Sequence, residues 1–365
     1  MKPLIELPVK KIMVRSANWI GDAVMTTPAM MTMRRAFPEA EIVVVANPVV
    51  VELLRGHPAC DRLLPFDKRM AHGGLGGFAR FCRNLRKEHF DLAILFQNAF
   101  EAALMACAGG IPLRLGYRGD ARSLLLTHAL ERPSRQEHVH QVWYYLRLLE
   151  RFGVPVEADP EMLLACTPEE LEWSAAKLGK EQWLAINPGA AYGEAKRWFP
   201  ERFAEVADCL ADEFDFKVLL TGGVKEREIG EEIAAVMRHE PLNLIGRTSI
   251  REMMALLARC SLMITNDSGP MHVAAALRTP VVAVFGSTDH LATSPWTQHA
   301  KVVRHDLDCA PCLKRVCPTG EFRCMKEVTA EDVLEAAREL LAETGLERTK
   351  SMPADSPSPS CGKRS

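Results

Sequence analysis

A chain of 365 residues with 48% hydrophobic and 25% charged residues has the composition of a globular protein with room for two domains. No run approaches the roughly 20 apolar residues of a membrane-spanning helix, and the amino terminus lacks the long apolar region of a signal peptide. We therefore expect a cytoplasmic protein. Residues 1–150 contain 20 Lys and Arg against 14 Asp and Glu, which favours an anionic partner for the N-terminal half.

The first 150 residues alternate short apolar runs with amphipathic segments. Near-continuous apolar strands between helices indicate a parallel sheet covered on both faces. The predicted strands are 11–16, 41–47, 63–66, 91–96 and 113–117, and the predicted helices are 21–36, 49–55, 75–88, 100–108 and 138–152.

A connector rich in proline and polar residues (153–180) separates this half from a second alternating region. We therefore predict two doubly wound α/β domains with a cleft between them, and functional turns at the carboxyl ends of the strands. A capping box, Ser249-x-x-Glu252, opens one helix, and residues 346–365 have the composition of a disordered tail. The predicted strands are 183–187, 217–222, 242–245, 261–265 and 281–285, and the predicted helices are 169–178, 200–214, 226–239, 250–259, 271–277 and 330–343.

The first strand runs into a turn that contains Gly21 and Asp22. Because the turn is not G-x-G-x-x-G, a nicotinamide or flavin dinucleotide is not expected. Asp22 falls in the first turn of the following helix, where a carboxylate can act as a general base aimed into the cleft. The alternative is that Asp22 only stabilises the helix dipole.

The first turn of the second half begins at Asn187 and Gly189 and reaches Lys196. Glycines and small residues after a strand, followed by a cation, are typical of a phosphate cradle, and Lys196 is the residue we assign to a pyrophosphate. The alternative is a flexible surface loop. The apolar residues that follow, Trp198 and Phe199, favour an anchored turn instead.

A βαβ unit contains the turn Asp267-Ser268-Gly269 and, one helical turn later, His272. Backbone N–H groups at this helix start suit a phosphate. A carboxylate repels phosphate, so Asp267 is expected to face sugar hydroxyls or a developing cation. The alternative is that Asp267 or Ser268 only caps the helix. His272 is equally suited to a phosphate, a sugar hydroxyl or a structural role.

Two further features have open interpretations. Glu226 follows a strand in a Gly-Gly turn and is suited either to a ribose or to the helix dipole. Four thiols lie within 16 residues, at Cys309, Cys312, Cys317 and Cys324. Their spacing does not match a regular paired-CxxC zinc ribbon, so a loop with free thiols competes with a zinc site.

Three separated motifs occur in the order of a known family. They are Asn18–Pro28 (NWIGDAVMTTP), Asn187–Gly189 with Lys196–Trp198, and Asn266–His272 (NDSGPMH). Together they resemble the bacterial lipopolysaccharide heptosyltransferases of glycosyltransferase family 9, over roughly residues 10–345. The cysteine segment is similar to that of the heptosyltransferase II subgroup.

The resemblance implies a GT-B fold and an inverting transfer from ADP-L-glycero-β-D-manno-heptose to the first heptose of the lipid A–Kdo inner core. By the same resemblance, Asp22 is the base, Lys196 contacts the donor diphosphate and Asp267 lies near the junction of diphosphate and sugar. Glu226 and His272 are weaker assignments to the donor site, which also includes Asn187, Gly189, Ser268 and Gly269. No cofactor and no catalytic metal are implied.

Under this resemblance the domains are an acceptor-binding domain (1–170), an ADP-heptose-binding domain (171–328), and a last helix (329–345) that packs back on the first domain. Arg55, Lys68 and Arg118 are assigned to the anionic Kdo–lipid A acceptor. The same basic half is suited to peripheral contact with the inner face of the cytoplasmic membrane.

Three alternatives stay open on the sequence alone. One is that the enzyme adds another heptose, as heptosyltransferases I and III do. Another is that it is a nucleotide-sugar epimerase with the same two-domain fold. A non-enzymatic alternative combines a zinc loop with a nucleic-acid-binding face. Aromatic residues are sparse among the basic ones, so no nucleic-acid partner is expected.

Overall fold

The computed structural model describes residues 3–119, 121–134 and 137–346. The chain divides into two compact units, Met1–Thr167 and Pro168–Ser365. Nearly all of the tail that was predicted to be disordered lies outside the described residues. Within the described residues, no helix combines the length and apolar character that a bilayer-spanning segment needs.

The first unit is a six-stranded sheet in which all neighbouring strands are parallel, in the order β3-β2-β1-β4-β5-β6. Its central strands are almost entirely buried because helices cover both faces. Its strands are β1 (Lys11–Arg15), β2 (Glu41–Ala46), β3 (Arg62–Pro65), β4 (Leu92–Leu95), β5 (Leu113–Tyr117) and β6 (His128–Leu130). Its helices are α1 (Ile20–Met25), α2 (Thr27–Ala36), α3 (Pro48–Leu53), α4 (Gly74–Lys87), α5 (Phe100–Ala108) and α6 (Gln141–Glu150).

The second unit repeats this topology with the order β12-β11-β10-β7-β8-β9, again with parallel neighbours. Its strands are β7 (Trp183–Asn187), β8 (Lys217–Leu220), β9 (Leu242–Asn243), β10 (Leu262–Asn266), β11 (Val281–Val284) and β12 (Ala300–Val303). Its helices are α7 (Pro168–Leu178), α8 (Pro200–Phe214), α9 (Arg227–Val236), α10 (Ile250–Leu257), α11 (Gly269–Ala276), α12 (His290–Thr293), α13 (Arg323–Lys326) and α14 (Ala330–Glu343).

Both units therefore have the Rossmann strand order, in which the first strand lies beside the fourth and the chain reverses its direction of winding between them. The reversal opens a crevice at the carboxyl ends of those two strands, where α/β folds bind ligands. In the first unit the crevice lies between β1 and β4. In the second unit it lies between β7 and β10.

The helix predicted at 21–36 is two helices, α1 and α2, which meet at Thr26. Pro28 cannot donate a backbone hydrogen bond, and its ring crowds the preceding turn. The carbonyls of Ala23 and Val24 accept instead from the hydroxyls of Thr26 (2.6 Å) and Thr27 (2.7 Å). The break keeps α1 short.

The last helix, α14, contributes buried residues to the core of the second unit, including Val333, Ala337 and Leu340, and packs against α8 and β12. Its apolar face is therefore used within the second unit. That this helix also packs back on the first domain stays a prediction. The capping box at Ser249 is confirmed: its hydroxyl accepts from the backbone N–H of Glu252 at 3.2 Å.

Candidate active site

The turn after β1 lies at the crevice of the first sheet and carries Asp22 in the first turn of α1. Arg15, the last residue of β1, supports this turn although its side chain is almost completely buried. Its guanidinium donates to the carbonyls of Ser16 (3.0 Å) and Val45 (3.1 Å) and to Oδ1 of Asn18 (3.2 Å). Burial lowers the pKa of Arg15 to about 10, so it remains a cation at neutral pH.

Tyr145 of α6 is a hydrogen-bonding neighbour of Asp22. Its ring is buried, with edge-to-face contacts to Phe96 (centroids 5.3 Å apart) and Tyr144 (5.4 Å). Burial, reinforced by the Asp22 carboxylate, raises the pKa of Tyr145 well above its usual value. The phenol therefore stays protonated at neutral pH and can donate a hydrogen bond to the Asp22 carboxylate.

The adjacent turns of the first sheet are tied to the same helix. Nδ2 of Asn98, just after β4, donates to the hydroxyl of Tyr144 at 2.7 Å. The hydroxyl of Tyr117, at the end of β5, donates to the Tyr144 carbonyl at 2.5 Å, and the two rings stack with centroids 4.2 Å apart. The buried Arg122 donates to the carbonyl of Gln97 at 2.8 Å. Helix α6 thus fixes the turns after β1, β4 and β5.

The three cations predicted to hold the acceptor are at least half exposed, and each is paired with a surface carboxylate. Lys68 and Arg118 follow β3 and β5 at the carboxyl edge, whereas Arg55 follows α3, where the chain returns toward the start of β3. Exposed ion pairs contribute little stability, so an anionic ligand can displace the carboxylates. Their acceptor role stays a prediction. The pairs are Arg55–Glu52 (3.3 Å), Lys68–Glu101 (2.6 Å) and Arg118–Glu131 (2.7 Å).

At the crevice of the second sheet, the turns after β7 and β10 meet through an ion pair. Nζ of Lys196 lies 2.5 Å from Oδ2 of Asp267, and the two side chains are only 12% and 5% exposed. The hydroxyl of Thr288, after β11, donates to the same oxygen at 2.6 Å. An ammonium has three donors, so Lys196 can bind a second anionic group without leaving Asp267.

Side-chain amides hold the same two turns together. Nδ2 of Asn187 donates to the carbonyl that follows β8 (2.8 Å), and its Oδ1 accepts from the hydroxyl of Ser268 (3.3 Å). Asn266 donates to the carbonyl of Pro188 (2.7 Å) and accepts from the backbone N–H of Trp198 (3.0 Å). Although Ser268 is the residue before α11, its side chain makes no capping bond. The interpretation that this turn serves only to cap a helix is therefore wrong.

Gly189 and Glu226 are also brought together. A Cβ atom at Gly189 would overlap the carboxylate of Glu226, so a larger residue there would have to displace this side chain. The other oxygen of Glu226 accepts from the backbone N–H of Gly223 at 2.6 Å. Gly269 begins α11, and His272 is buried within that helix. The assignments of these residues to a donor stay predictions.

The sequence profile of glycosyltransferase family 9 (heptosyltransferase) matches residues 78–323. This chain belongs to glycosyltransferase family 9. It is 31% identical over 342 residues to lipopolysaccharide heptosyltransferase 2 of Escherichia coli K12, covering 89% of this chain and 97% of that protein. It is 30% identical over 334 residues to lipooligosaccharide heptosyltransferase 2 of Campylobacter jejuni subsp. jejuni serotype O:2, covering 90% and 97%.

Solved structures of the family have the same fold. The E. coli ADP-heptose LPS heptosyltransferase II superposes with a TM-score of 0.78 at 29% identity, covering 92% of this chain and 99% of that one. A family 9 glycosyltransferase from Veillonella parvula superposes with a TM-score of 0.84 at 25% identity, covering 92% and 98%. The predicted α/β GT-B fold class is confirmed, and the chain is a glycosyltransferase with a heptosyltransferase role in lipopolysaccharide core assembly.

Family membership decides between the alternatives left open by the sequence. A glycosyltransferase transfers a sugar to an acceptor, so the epimerase and the nucleic-acid-binding alternatives are not supported. In the described part of the chain, no three His, Cys, Asp or Glu side chains are grouped so that they could hold a metal ion. The four cysteines of the predicted loop form no disulfide among the described residues.

The cysteine segment of this heptosyltransferase braces the turn after β7. The hydroxyl of Tyr192 donates to the carbonyl of Leu313 (3.2 Å). The backbone N–H of Ala195 donates to the carbonyl of Arg315 (3.1 Å). The ring of Tyr192 lies between two cations, Lys196 (5.0 Å) and Arg315 (5.1 Å). The segment thus has a structural role beside Lys196 that its thiols do not explain.

Three side chains of the site were not predicted from the sequence: Tyr145, Tyr192 and Thr288. Thr288 follows β11 at the carboxyl edge, a position that could have marked it. Tyr145 lies on a helix whose pattern predicts only an apolar face, and its partner Asp22 is distant in the chain. No sequence signal points to that contact.

Substituting Gly189 tests the contact with Glu226. In Gly189→Ala the new methyl group must displace the Glu226 carboxylate and break its bond to Gly223, so we expect a loss of about 1 kcal/mol in the free energy of unfolding. Denaturant titration measures this loss. In a Glu226→Ala background the same substitution should cost much less. An equal loss in both backgrounds would show that the contact is not responsible.

Proposed function

We propose that this enzyme is an inverting glycosyltransferase that moves L-glycero-D-manno-heptose from ADP-heptose to the first heptose of the lipid A–Kdo inner core. The observation that carries the proposal is that each of the two crevices of the fold contains a cluster of polar side chains. Asp22 with Tyr145 occupies the first, and Lys196 with Asp267 occupies the second. The relatives named heptosyltransferase 2 support the choice of sugar and acceptor.

In this mechanism Asp22 is the general base. A sugar hydroxyl is a poor acid, so its proton must pass to a carboxylate as its oxygen forms the new bond to the anomeric carbon. Proton transfer of this kind contributes roughly 10²–10⁴-fold to the rate. The bond from the anomeric carbon to the diphosphate breaks on the opposite side, and ADP leaves with the electron pair. One such displacement inverts the anomeric configuration.

The second cluster stabilises the leaving group. Lys196 is buried enough for its charge to act strongly on a diphosphate, and the uncapped start of α11 at Gly269 offers backbone N–H groups. Asp267, fixed by Lys196 and Thr288, lies beside the diphosphate–sugar junction in this proposal, where a carboxylate favours the cation-like anomeric centre. Asn187, Gly189, Ser268, Glu226 and His272 complete the proposed donor site.

The first unit is proposed to bind the acceptor and the second to bind ADP-heptose. Arg55, Lys68 and Arg118 are proposed to contact the carboxylates and phosphates of Kdo–lipid A, because these cations exchange their exposed partners at little cost. Since that acceptor is anchored by lipid, we also propose peripheral contact with the inner face of the cytoplasmic membrane.

Tyr145 is expected to act through Asp22. Tyr145→Phe keeps the ring between Phe96 and Tyr144 but removes the donor to the carboxylate. We expect kcat to fall roughly 10-fold, the effect of one hydrogen bond to a charged group, with the donor KM unchanged. Steady-state kinetics measures both. Tyr144→Phe is the matched control, because its hydroxyl bonds to Asn98 and not to Asp22; equal effects of the two substitutions would contradict a role through Asp22.

The choice of heptosyltransferase II over I or III rests on the relatives. Several relatives near 30% identity are named heptosyltransferase 2, whereas heptosyltransferase 3 of E. coli K12 is 27% identical. Solved E. coli heptosyltransferase WaaC with ADP is 17% identical, which shows the shared fold alone.

An acceptor series tests the assignment. The enzyme is incubated with ADP-heptose and with lipid A–Kdo acceptors that carry no heptose, one heptose or two heptoses, and the products are identified by mass and linkage analysis. We expect a single heptose to be added to the monoheptosylated acceptor. Preferential transfer to the heptose-free or the diheptosylated acceptor would assign the chain to type I or type III instead.

A further inference from the structure

The segment 67–87, which comprises the turn after β3 and helix α4, is strongly cationic. It contains six Lys and Arg and a single acid, Asp67. We name the outward side of this segment the cationic face. Its exposed charged and large apolar members are Lys68, Arg69, Met70, Leu75, Arg80, Arg83, Arg86 and Lys87.

The one acid of the segment forms no ion pair with a described residue, and its carboxylate accepts hydrogen bonds within the turn. Oδ1 of Asp67 accepts from the backbone N–H groups of Arg69 (3.0 Å) and Met70 (3.2 Å). The backbone N–H of Asp67 donates to Nδ1 of His72 at 3.0 Å, and the His72 ring stacks on Phe66 with centroids 5.5 Å apart. The turn is therefore an ordered structure with a fixed outer side.

The orientation of α4 is fixed by its apolar side. Phe81, Cys82 and Leu85 are buried in the core of the first unit. Arg80 and Arg83 consequently point outward. Counting only pairs between described residues, Lys68 is bound to Glu101, whereas the other five cations of the segment form no ion pair.

Two large apolar side chains protrude from the same segment, Met70 from the turn and Leu75 from the start of α4. Met70 is 80% exposed and Leu75 is 90% exposed, although the turn that bears Met70 is ordered by hydrogen bonds. Apolar side chains held in water among cations are typical of surfaces that lie in the interface of an anionic bilayer, where the apolar groups enter the acyl boundary and the cations remain at the headgroups.

We propose that the cationic face docks the enzyme on the surface of an anionic lipid bilayer, with Met70 and Leu75 inserted between headgroups and with Arg80 and Arg83 bound to lipid phosphates. This inference rests on the proposed function, because it gives the surface that meets the membrane in which the acceptor is anchored. The partner follows from charge complementarity: five exposed cations without an acidic partner among the described residues lie on the same segment as two exposed apolar side chains. Each cation near such a surface contributes roughly fivefold to binding.

The test uses the full chain and two kinds of vesicle. One is pure phosphatidylcholine, and in the other about one lipid in three is the anionic phosphatidylglycerol. We expect the chain to bind only the anionic vesicles and to bind them more weakly as salt is raised. The double variant Arg80→Glu, Arg83→Glu should bind these vesicles at least tenfold more weakly. Leu75→Ser should reduce the part of the binding that remains at high salt. The matched controls, on exposed residues of the second unit, are Lys177→Glu with Lys180→Glu and Val236→Ser, which should bind as the unmodified chain does.

A second readout separates this proposal from the proposed function. Transfer to a water-soluble acceptor lacking acyl chains should be unchanged in the Arg80→Glu, Arg83→Glu variant, since neither residue belongs to the proposed active site. Equal vesicle binding by this variant and the unmodified chain would overturn the docking proposal, as would binding to single-stranded RNA in preference to anionic vesicles. Loss of transfer in the unmodified chain would instead contradict the proposed function and leave the vesicle result to be judged separately.

Discussion

Asp22→Asn should fold normally, bind ADP-heptose with unchanged affinity and transfer heptose roughly 10²–10⁴-fold more slowly. The amide is nearly the same size as the carboxylate and can still accept the hydrogen bond from Tyr145 through its carbonyl oxygen. It cannot take up a proton from the acceptor hydroxyl. The loss should therefore appear in kcat, measured with saturating donor and acceptor.

Two further measurements support the interpretation of this variant. Thermal unfolding should show little change in Tm, and calorimetric titration with ADP should give the same Kd as for the unmodified enzyme. If kcat of Asp22→Asn were within a fewfold of normal, Asp22 would not be the base, whatever the geometry of its turn.

Lys196→Ala should have the second largest effect, and it should affect both binding and stability. Loss of a charge-assisted bond to the diphosphate is expected to weaken donor binding roughly 10–100-fold. Asp267 would also remain buried without its cation, which costs about 3–5 kcal/mol for a buried pair of this kind. Calorimetric titration measures the first effect and denaturant unfolding the second.

A double variant separates the two effects. In Lys196→Ala with Asp267→Asn, the buried charge is removed and Thr288 can still donate to the amide oxygen, so much of the stability should return. Donor affinity should stay low because no ammonium faces the diphosphate. An unchanged donor Kd in the single variant would refute the contact between Lys196 and the diphosphate.

The sequence predicted the interior of the fold better than its edges. Strands such as β2 and β10 are runs of apolar residues that are removed from water only when helices cover both faces of the sheet. That they are strands, and where they lie in the chain, was therefore predictable. The edge strands β6 and β12 were missed because they are short and only partly buried. Their strand character comes from pairing with β5 and β11, which no local pattern encodes.

The candidate site was predictable where it lies on turns and hidden where it depends on distant contacts. Asp22, Lys196 and Asp267 each follow a buried strand, and their motifs occur in the order of one family. The ion pair of Lys196 with Asp267 joins turns 71 residues apart in the chain. The contact of Tyr145 with Asp22 depends on the docking of α6, which a helical pattern alone does not specify.

The anomeric configuration of the product tests the central claim most directly. The enzyme is supplied with ADP-L-glycero-β-D-manno-heptose and a monoheptosylated acceptor, and the new linkage is examined by nuclear magnetic resonance. A base that deprotonates the acceptor while ADP leaves from the opposite side predicts an α-linked heptose. A β-linked product would show retention and would contradict a single displacement assisted by Asp22.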